Sequence, residues 1–157
     1  MKYFAKLPSP VGELTICAND DAITAVAFPG DIATPDNEPQ PNELVRRAMD
    51  QLQDYFSGQR KGFDLPLNPA GTAFQQSVWQ ALLTVPYGRT ASYGEIAAAI
   101  GNAKASRAVG LANGRNPIAI VVPCHRIIGR NGSLTGYGGG LDRKRWLLTH
   151  ERGARPG

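Results

Sequence analysis

The sequence predicts a mixed α+β chain in two parts, a small antiparallel sheet with one helix followed by a mainly helical part. From Lys2 to Phe28 apolar and polar residues alternate as strands do, whereas from Thr72 onward the apolar residues recur at helical spacing. Between the two, Phe63 to Gly71 holds Pro66, Pro69 and Gly71 and reads as a connection. The charge changes sign at the same place. Residues 1–71 carry 6 Lys/Arg against 10 Asp/Glu, a net of −4, and residues 72–157 carry 11 against 3, a net of +8. The expected domains are therefore residues 1–70 and 71–157.

In the first part, Tyr3-Phe4-Ala5, Leu14-Thr15-Ile16-Cys17 and Ile23 to Phe28 read as three strands. The turns between them fall at Pro8-Ser9-Pro10-Val11-Gly12 and Asn19-Asp20-Asp21, which gives a meander with Cys17 in its core. Pro29 to Asn42 carries four prolines and several acids and reads as a surface loop. Asn42 is placed to cap a helix whose Leu44, Val45, Ala48, Leu52, Tyr55 and Phe56 share one face, and Gly58 ends it.

The second part opens with Thr72 as the cap of a helix carrying Phe74, Val78, Trp79, Leu82 and Leu83, closed by Pro86-Tyr87-Gly88. Trp79 reads as core. Ser92-Tyr93-Gly94-Glu95 fits a capping box, in which the Ser hydroxyl and the Glu carboxylate each satisfy an orphan amide. The helix it starts runs to Gly101, and Asn102 is expected to cap another through Arg107, Val109 and Ala112. Two short helices joined by a tight glycine turn have the form of a helix-turn-helix. Its polar set is Tyr93, Lys104 and Arg107, with Arg115 and Asn116 beyond the second helix. Arg130-Asn131-Gly132 reads as a turn, Thr135 to Gly140 as a glycine-rich loop holding Tyr137, and Asp142 as the cap of a last helix with Trp146, Leu147 and Leu148. Arg152 to Gly157 reads as a basic tail.

Chemistry concentrates at Val121-Val122-Pro123-Cys124-His125-Arg126-Ile127-Ile128-Gly129. Ile118 to Val122 reads as a short buried extended segment, and Pro123 turns the chain so that Cys124 faces a cavity. A free thiol is mostly protonated at neutral pH, and His125 and Arg126 are at hand to favour the thiolate. The bland alternative is a buried cysteine that acts as a small hydrophobe. Only Cys17 and His150 remain as other soft ligands, without metal-binding spacing, so no metal is expected. With 157 residues, 42% of them apolar, the chain suffices for one substantial core or two small ones. The opening residues contain no signal peptide or membrane span, and two distant cysteines suit a reducing cytoplasm. A basic half directs attention to nucleic acid as partner.

Pro123-Cys124-His125-Arg126 after Asn116-Pro117 stands with Ser92-Tyr93 and Arg107-Ala108-Val109-Gly110 upstream. Gly136-Tyr137 to Gly140, Lys144 and Leu147-Leu148 to Glu151 follow downstream. In this order and spacing, over about Gly71 to Glu151, the chain resembles the O6-alkylguanine-DNA alkyltransferases. The sheet and helix before them look like that family's variable ribonuclease-H-like domain.

The resemblance implies direct repair of double-stranded DNA containing O6-alkylguanine, with O4-alkylthymine as a second substrate, by a monomer that uses no cofactor. Cys124 would accept the alkyl group irreversibly, once per molecule, after the base has been flipped out of the duplex. Glu151 would orient His125, which withdraws the thiol proton through a bound water, and Asn116 would brace the turn. Tyr93 would donate to the leaving guanine. Arg107 would fill the vacated space from a helix in the minor groove, with Ser92, Lys104 and Arg115 also on the DNA. Cys124, Ile127 and Gly138 would read the flipped base through the main chain, and Tyr137 would line its pocket. Gly138 departs from the Ser or Ala often found there, which predicts a looser loop and altered tolerance of larger alkyl groups. Two rivals are a non-catalytic protein that binds alkylated DNA and a hydrolase built on Cys124, His125 and Glu151.

Overall fold

The computed structural model describes residues 2–32, 38–132, 137 and 140–153. They form two compact units, Met1–Ala70 with Pro117–Val121, and Gly71–Asn116 with Val122–Gly157. Expectations for Pro35, Gly136, Gly138 and the end of the basic tail lie outside the described residues.

In the first unit β1 (Tyr3–Leu7), β2 (Leu14–Ala18) and β3 (Ile23–Ala27) make an antiparallel meander in the order β1-β2-β3. Phe4 faces Cys17 and Ile16 faces Val26, and the β2–β3 register shifts at Cys17/Ala18. Asn19 makes the second turn, its Oδ1 accepting from the amides of Asp21 and Ala22 at 2.8 Å each. α1 (Glu43–Phe56) lies against the sheet and is capped by Asn42, whose side chain accepts from the Val45 amide. Its Val45, Ala48, Leu52 and Tyr55 are buried. Gln51 is buried beside them because its amide group answers both main-chain groups of Asp64, at 3.1 and 2.9 Å. Cys17 is only partly buried rather than core, on the opposite pleat from the buried Ile16 and Ala18. The Pro29–Asn42 loop is not wholly irregular either, since Gln40 exchanges two backbone hydrogen bonds with Phe4.

The first unit also takes back a segment that is distant in sequence. Ile118 bridges Val26 in parallel, with the Val26 amide donating to Pro117 O and the Ala119 amide to Val26 O, both at 3.0 Å. Ile118 to Val122 is buried as its composition requires, but it pairs with the meander by an isolated bridge at Ile118, and the extended run expected there is interrupted by a turn at Ile120 and Val121.

The second unit contains α2 (Ala73–Leu82), β4 (Ala91–Ser92), α3 (Tyr93–Ala99), α4 (Ser106–Gly114), a 3-10 turn at Cys124–Arg126, β5 (Ile127–Ile128) and α5 (Leu141–Glu151). α2 and α3 both begin with complete capping boxes, Thr72 with Gln75 and Ser92 with Glu95. Trp79 is core, and its Nε1 finds a buried partner in Ala112 O at 2.9 Å on α4. Gly71 is required there because a Cβ would stand 2.5 Å from the Trp79 ring.

Three local expectations are corrected. Leu83 is 43% exposed, because the helix ends at Leu82 and the chain turns away. Asn102 does not cap α4; the cap is Ala105, without a side-chain bond, while Asn102 closes the preceding turn through its carbonyl. Asp142 does not cap α5 but lies in its first turn, facing Arg145 at 3.3 Å, and Gly140 at φ 94° makes the entry.

Candidate active site

The cysteine is delivered by two tight turns in succession. Ile120 has φ 73°, and the Val121 amide donates to Ala119 O at 2.8 Å, a γ-turn of the rare positive-φ kind that a β-branched residue adopts only under strain. Pro123, at φ −82° and ψ 62°, is the centre of an inverse γ-turn closed by the Cys124 amide on Val122 O at 2.8 Å. The proline's fixed φ suits that geometry, and Cys124 then starts the 3-10 turn as a buried residue.

Two asparagines three residues apart hold this bend from the end of α4. Asn116 Nδ2 donates to Val122 O at 2.8 Å, and Asn113 Nδ2 donates to Cys124 O at 3.2 Å, so the carbonyls on both sides of Pro123 are gripped. From the other direction β5 pairs in parallel with β4, Ala91 opposite Ile127 and Ser92 opposite Ile128. This short ladder ties the α3 start, and with it Tyr93, to the segment that follows the thiol. The Tyr93 ring lies 3.6 Å from where a Cβ on Gly110 would stand, against α4.

A buried charge cluster sits beneath the 3-10 turn. His125 Nε2 is 2.6 Å from Glu151 Oε2, and Arg126 closes a two-pronged pair on the same carboxylate, Nε to Oε1 at 2.7 Å and Nη2 to Oε2 at 3.0 Å. Arg126 Nη1 donates to Val85 O at 2.7 Å, and its guanidinium lies 5.7 Å from the Tyr87 ring centre. Burial alone would raise the Glu151 pKa, but the hydrogen bonds and charges of His125 and Arg126 prevail and hold it at about 2. Burial pushes the His125 pKa down against the pull of Glu151, so the ring is neutral. An ionised carboxylate only accepts, so Nε2 carries the proton and Nδ1 is left as an acceptor. That nitrogen is buried and makes no hydrogen bond among the described residues.

Burial also pushes the Cys124 thiol up, and what opposes it is Asn116 and Tyr137 by hydrogen bonding and Lys144 by charge. This corrects the expectation that His125 and Arg126 would favour the thiolate directly: both are committed to Glu151. Lys144, fully buried on α5, donates to Ile127 O and lies 5.9 Å from the Tyr137 ring centre.

The structure therefore brings Cys124, His125, Glu151, Asn116, Ile127 and Tyr137 together and links Ser92 and Tyr93 to them through β4–β5. Lys104, Arg107 and Arg115 are exposed along the α3–α4 connection and α4. Gly138 lies outside the described residues. Sequence reasoning missed the grip of Asn113, the Arg126 clamp on Glu151, and burial of Lys144 among the site residues. Lys144 carried a signal, since it falls three and four positions before the core residues Leu147 and Leu148. Asn113 likewise follows the buried Val109 by four positions. Among the described residues no group of three His, Cys, Asp or Glu could hold a metal, and no helix is long and apolar enough to cross a membrane.

Residues 73–153 match the family model described as 6-O-methylguanine DNA methyltransferase, DNA binding domain, and residues 2–69 the one described as its ribonuclease-like domain. A methylated-DNA–protein-cysteine methyltransferase of Methanosarcina acetivorans is 53% identical over 95% of this chain and 97% of its own. The constitutive one of Bacillus subtilis is 47% identical over 97% and 96%. A crystal structure of Mycobacterium tuberculosis OGT in complex with DNA superposes with a TM-score of 0.90, at 50% identity, over 98% of this chain and 95% of that one.

Proposed function

The chain belongs to the methylated-DNA–protein-cysteine methyltransferase family, and from that premise we propose that it repairs O6-alkylguanine in duplex DNA by moving the alkyl group onto Cys124. The observation that carries the assignment to this residue is the buried relay beside it. Glu151 is held ionised, His125 is held neutral with its proton on Nε2, and Nδ1 is kept as a base next in sequence to the only buried free thiol among the described residues.

Because burial disfavours a standing thiolate, deprotonation belongs to the reaction itself. His125 Nδ1 takes the thiol proton through one bridging water, and Glu151 stabilises the imidazolium that forms. The sulfur lone pair then attacks the alkyl carbon in line; the carbon–O6 bond breaks and its electron pair goes to the guanine, which Tyr93 neutralises by donating to the ring. Asn116 and Tyr137, with the charge of Lys144, stabilise the sulfur as its negative charge develops. The thioether left on Cys124 has no hydrolytic exit, so each molecule acts once.

The alkyl carbon is out of reach inside a stacked duplex, so the base is flipped, with Arg107 filling its place and Ser92, Lys104 and Arg115 on the DNA backbone. Ile127 and Gly138 read the flipped base through main-chain groups. The protein works on DNA as a monomer in the cytoplasm. Cys124→Ser should bind a duplex carrying O6-methylguanine as the wild type does and transfer nothing. Methyl transfer to the variant would assign the acceptor to another residue.

A further inference from the structure

Leu111 is 66% exposed, the most exposed large hydrophobic residue among the described residues. A lone exposed leucine is ordinary, but this one is not placed at random. It stands on α4 four residues after Arg107, in a stripe with Ala108, Gly114 and Arg115 that is exposed throughout. The stripe is cationic at both ends and small and apolar between. No Asp or Glu occurs between Glu95 and Asp142, while Lys104, Arg107, Arg115 and Arg130 lie in that stretch and outside the charge cluster. A face of that charge is complementary to a polyanion.

The stripe also excludes one mode of reading a duplex. Base edges in the major groove are read by Arg with Asn, Gln, Ser or Glu side chains along the docked face. Between Arg107 and Arg115 this face offers only Ala108, Leu111 and Gly114. Small residues allow close approach, and an apolar side chain suits sugar walls and partly unstacked base steps, which is how minor-groove binders use wedges. We propose that Leu111 enters the minor groove one helical turn after Arg107 and acts as an apolar wedge against the deoxyribose walls and the adjoining base step. The proposal rests on the DNA-repair reading of the site, and names for it a contact that the alkyl-transfer chemistry does not require.

The test is duplex affinity by fluorescence anisotropy, on an undamaged 12-mer and on the same duplex with one O6-methylguanine, for wild type, Leu111→Ala, Leu111→Met and Arg115→Ala. Leu111→Ala should weaken binding to both about tenfold, the effect of losing a partly buried leucine side chain, with the salt slope of the wild type. Leu111→Met should recover most of the affinity, and Arg115→Ala should reduce the salt slope by about one. A minor-groove ligand such as netropsin should displace the wild type from an A·T-rich duplex. Unchanged affinity of Leu111→Ala, or indifference to netropsin, would overturn the wedge. So would a concentration-dependent dimer in the wild type that Leu111→Ala abolishes, since the leucine would then cover a second copy. Undamaged duplex needs no transfer, so a wild type that binds it but never accepts a methyl group would sink the repair reading and leave the wedge standing.

Discussion

Glu151 carries two cationic or donor partners on one buried carboxylate, and the consequences are measurable as acid stability. Its pKa of about 2 lies below the ordinary carboxylate value, so the unfolded state takes up a proton first as the pH falls. Stability contributed by Glu151 is therefore complete above about pH 4.5 and is lost between there and about pH 2. His125, whose pKa is lowered by burial, acts in the same direction from a higher pH: the unfolded ring gains a proton below about 6.5 that the folded ring does not. Urea unfolding should show stability falling in both windows. In Glu151→Gln the lower window should be lost, and at pH 7 the variant should be weaker by about 3–5 kcal/mol, because Arg126 keeps its charge in a buried place without its counter-ion. An unchanged acid profile in that variant would mean the carboxylate is not what titrates.

At the scale of the element, the site is a bend clamped between the end of α4 and the β4–β5 ladder. Asn113→Ala removes the donor on Cys124 O and should destabilise by about 1–3 kcal/mol. It should also slow alkyl transfer from duplex and from free O6-benzylguanine alike, because the displaced part is the thiol and not the DNA face. A loss confined to duplex would assign Asn113 to DNA binding. The capping residues were plain in the sequence because a cap is a local contract: Asn42, Thr72 and Ser92 each satisfy an amide three residues on. Ala105 and Gly140 were not, since those helices start without a side-chain bond that a residue type could announce. The positive φ at Ile120 had no sequence signal at all, for β-branched residues avoid that region unless the surroundings impose it.

For the whole molecule, the change of charge at the connection was legible and so were the two kinds of periodicity, because both are sums over many residues. The return of Pro117–Val121 to the first unit was not, because pairing with Val26 is a long-range choice that a local pattern leaves open. Similarly, Cys124, His125 and Glu151 could be nominated by type and order, while the partnership of Arg126 with Glu151 required the fold. The net of +8 on residues 72–157 predicts that binding to undamaged duplex falls steeply with salt, log Kd rising linearly with log salt with a slope set by the phosphates contacted. A flat response between about 50 and 200 mM salt would remove the basic face from DNA binding.

The most direct measurement is the intact mass of the wild-type protein after incubation with excess duplex carrying one O6-methylguanine, followed by peptide mapping. The expected result is a gain of one methyl group, located on Cys124, that never exceeds one per molecule however much duplex is supplied. Continued turnover, or a duplex that stays bound while the protein mass stays unchanged, would contradict it.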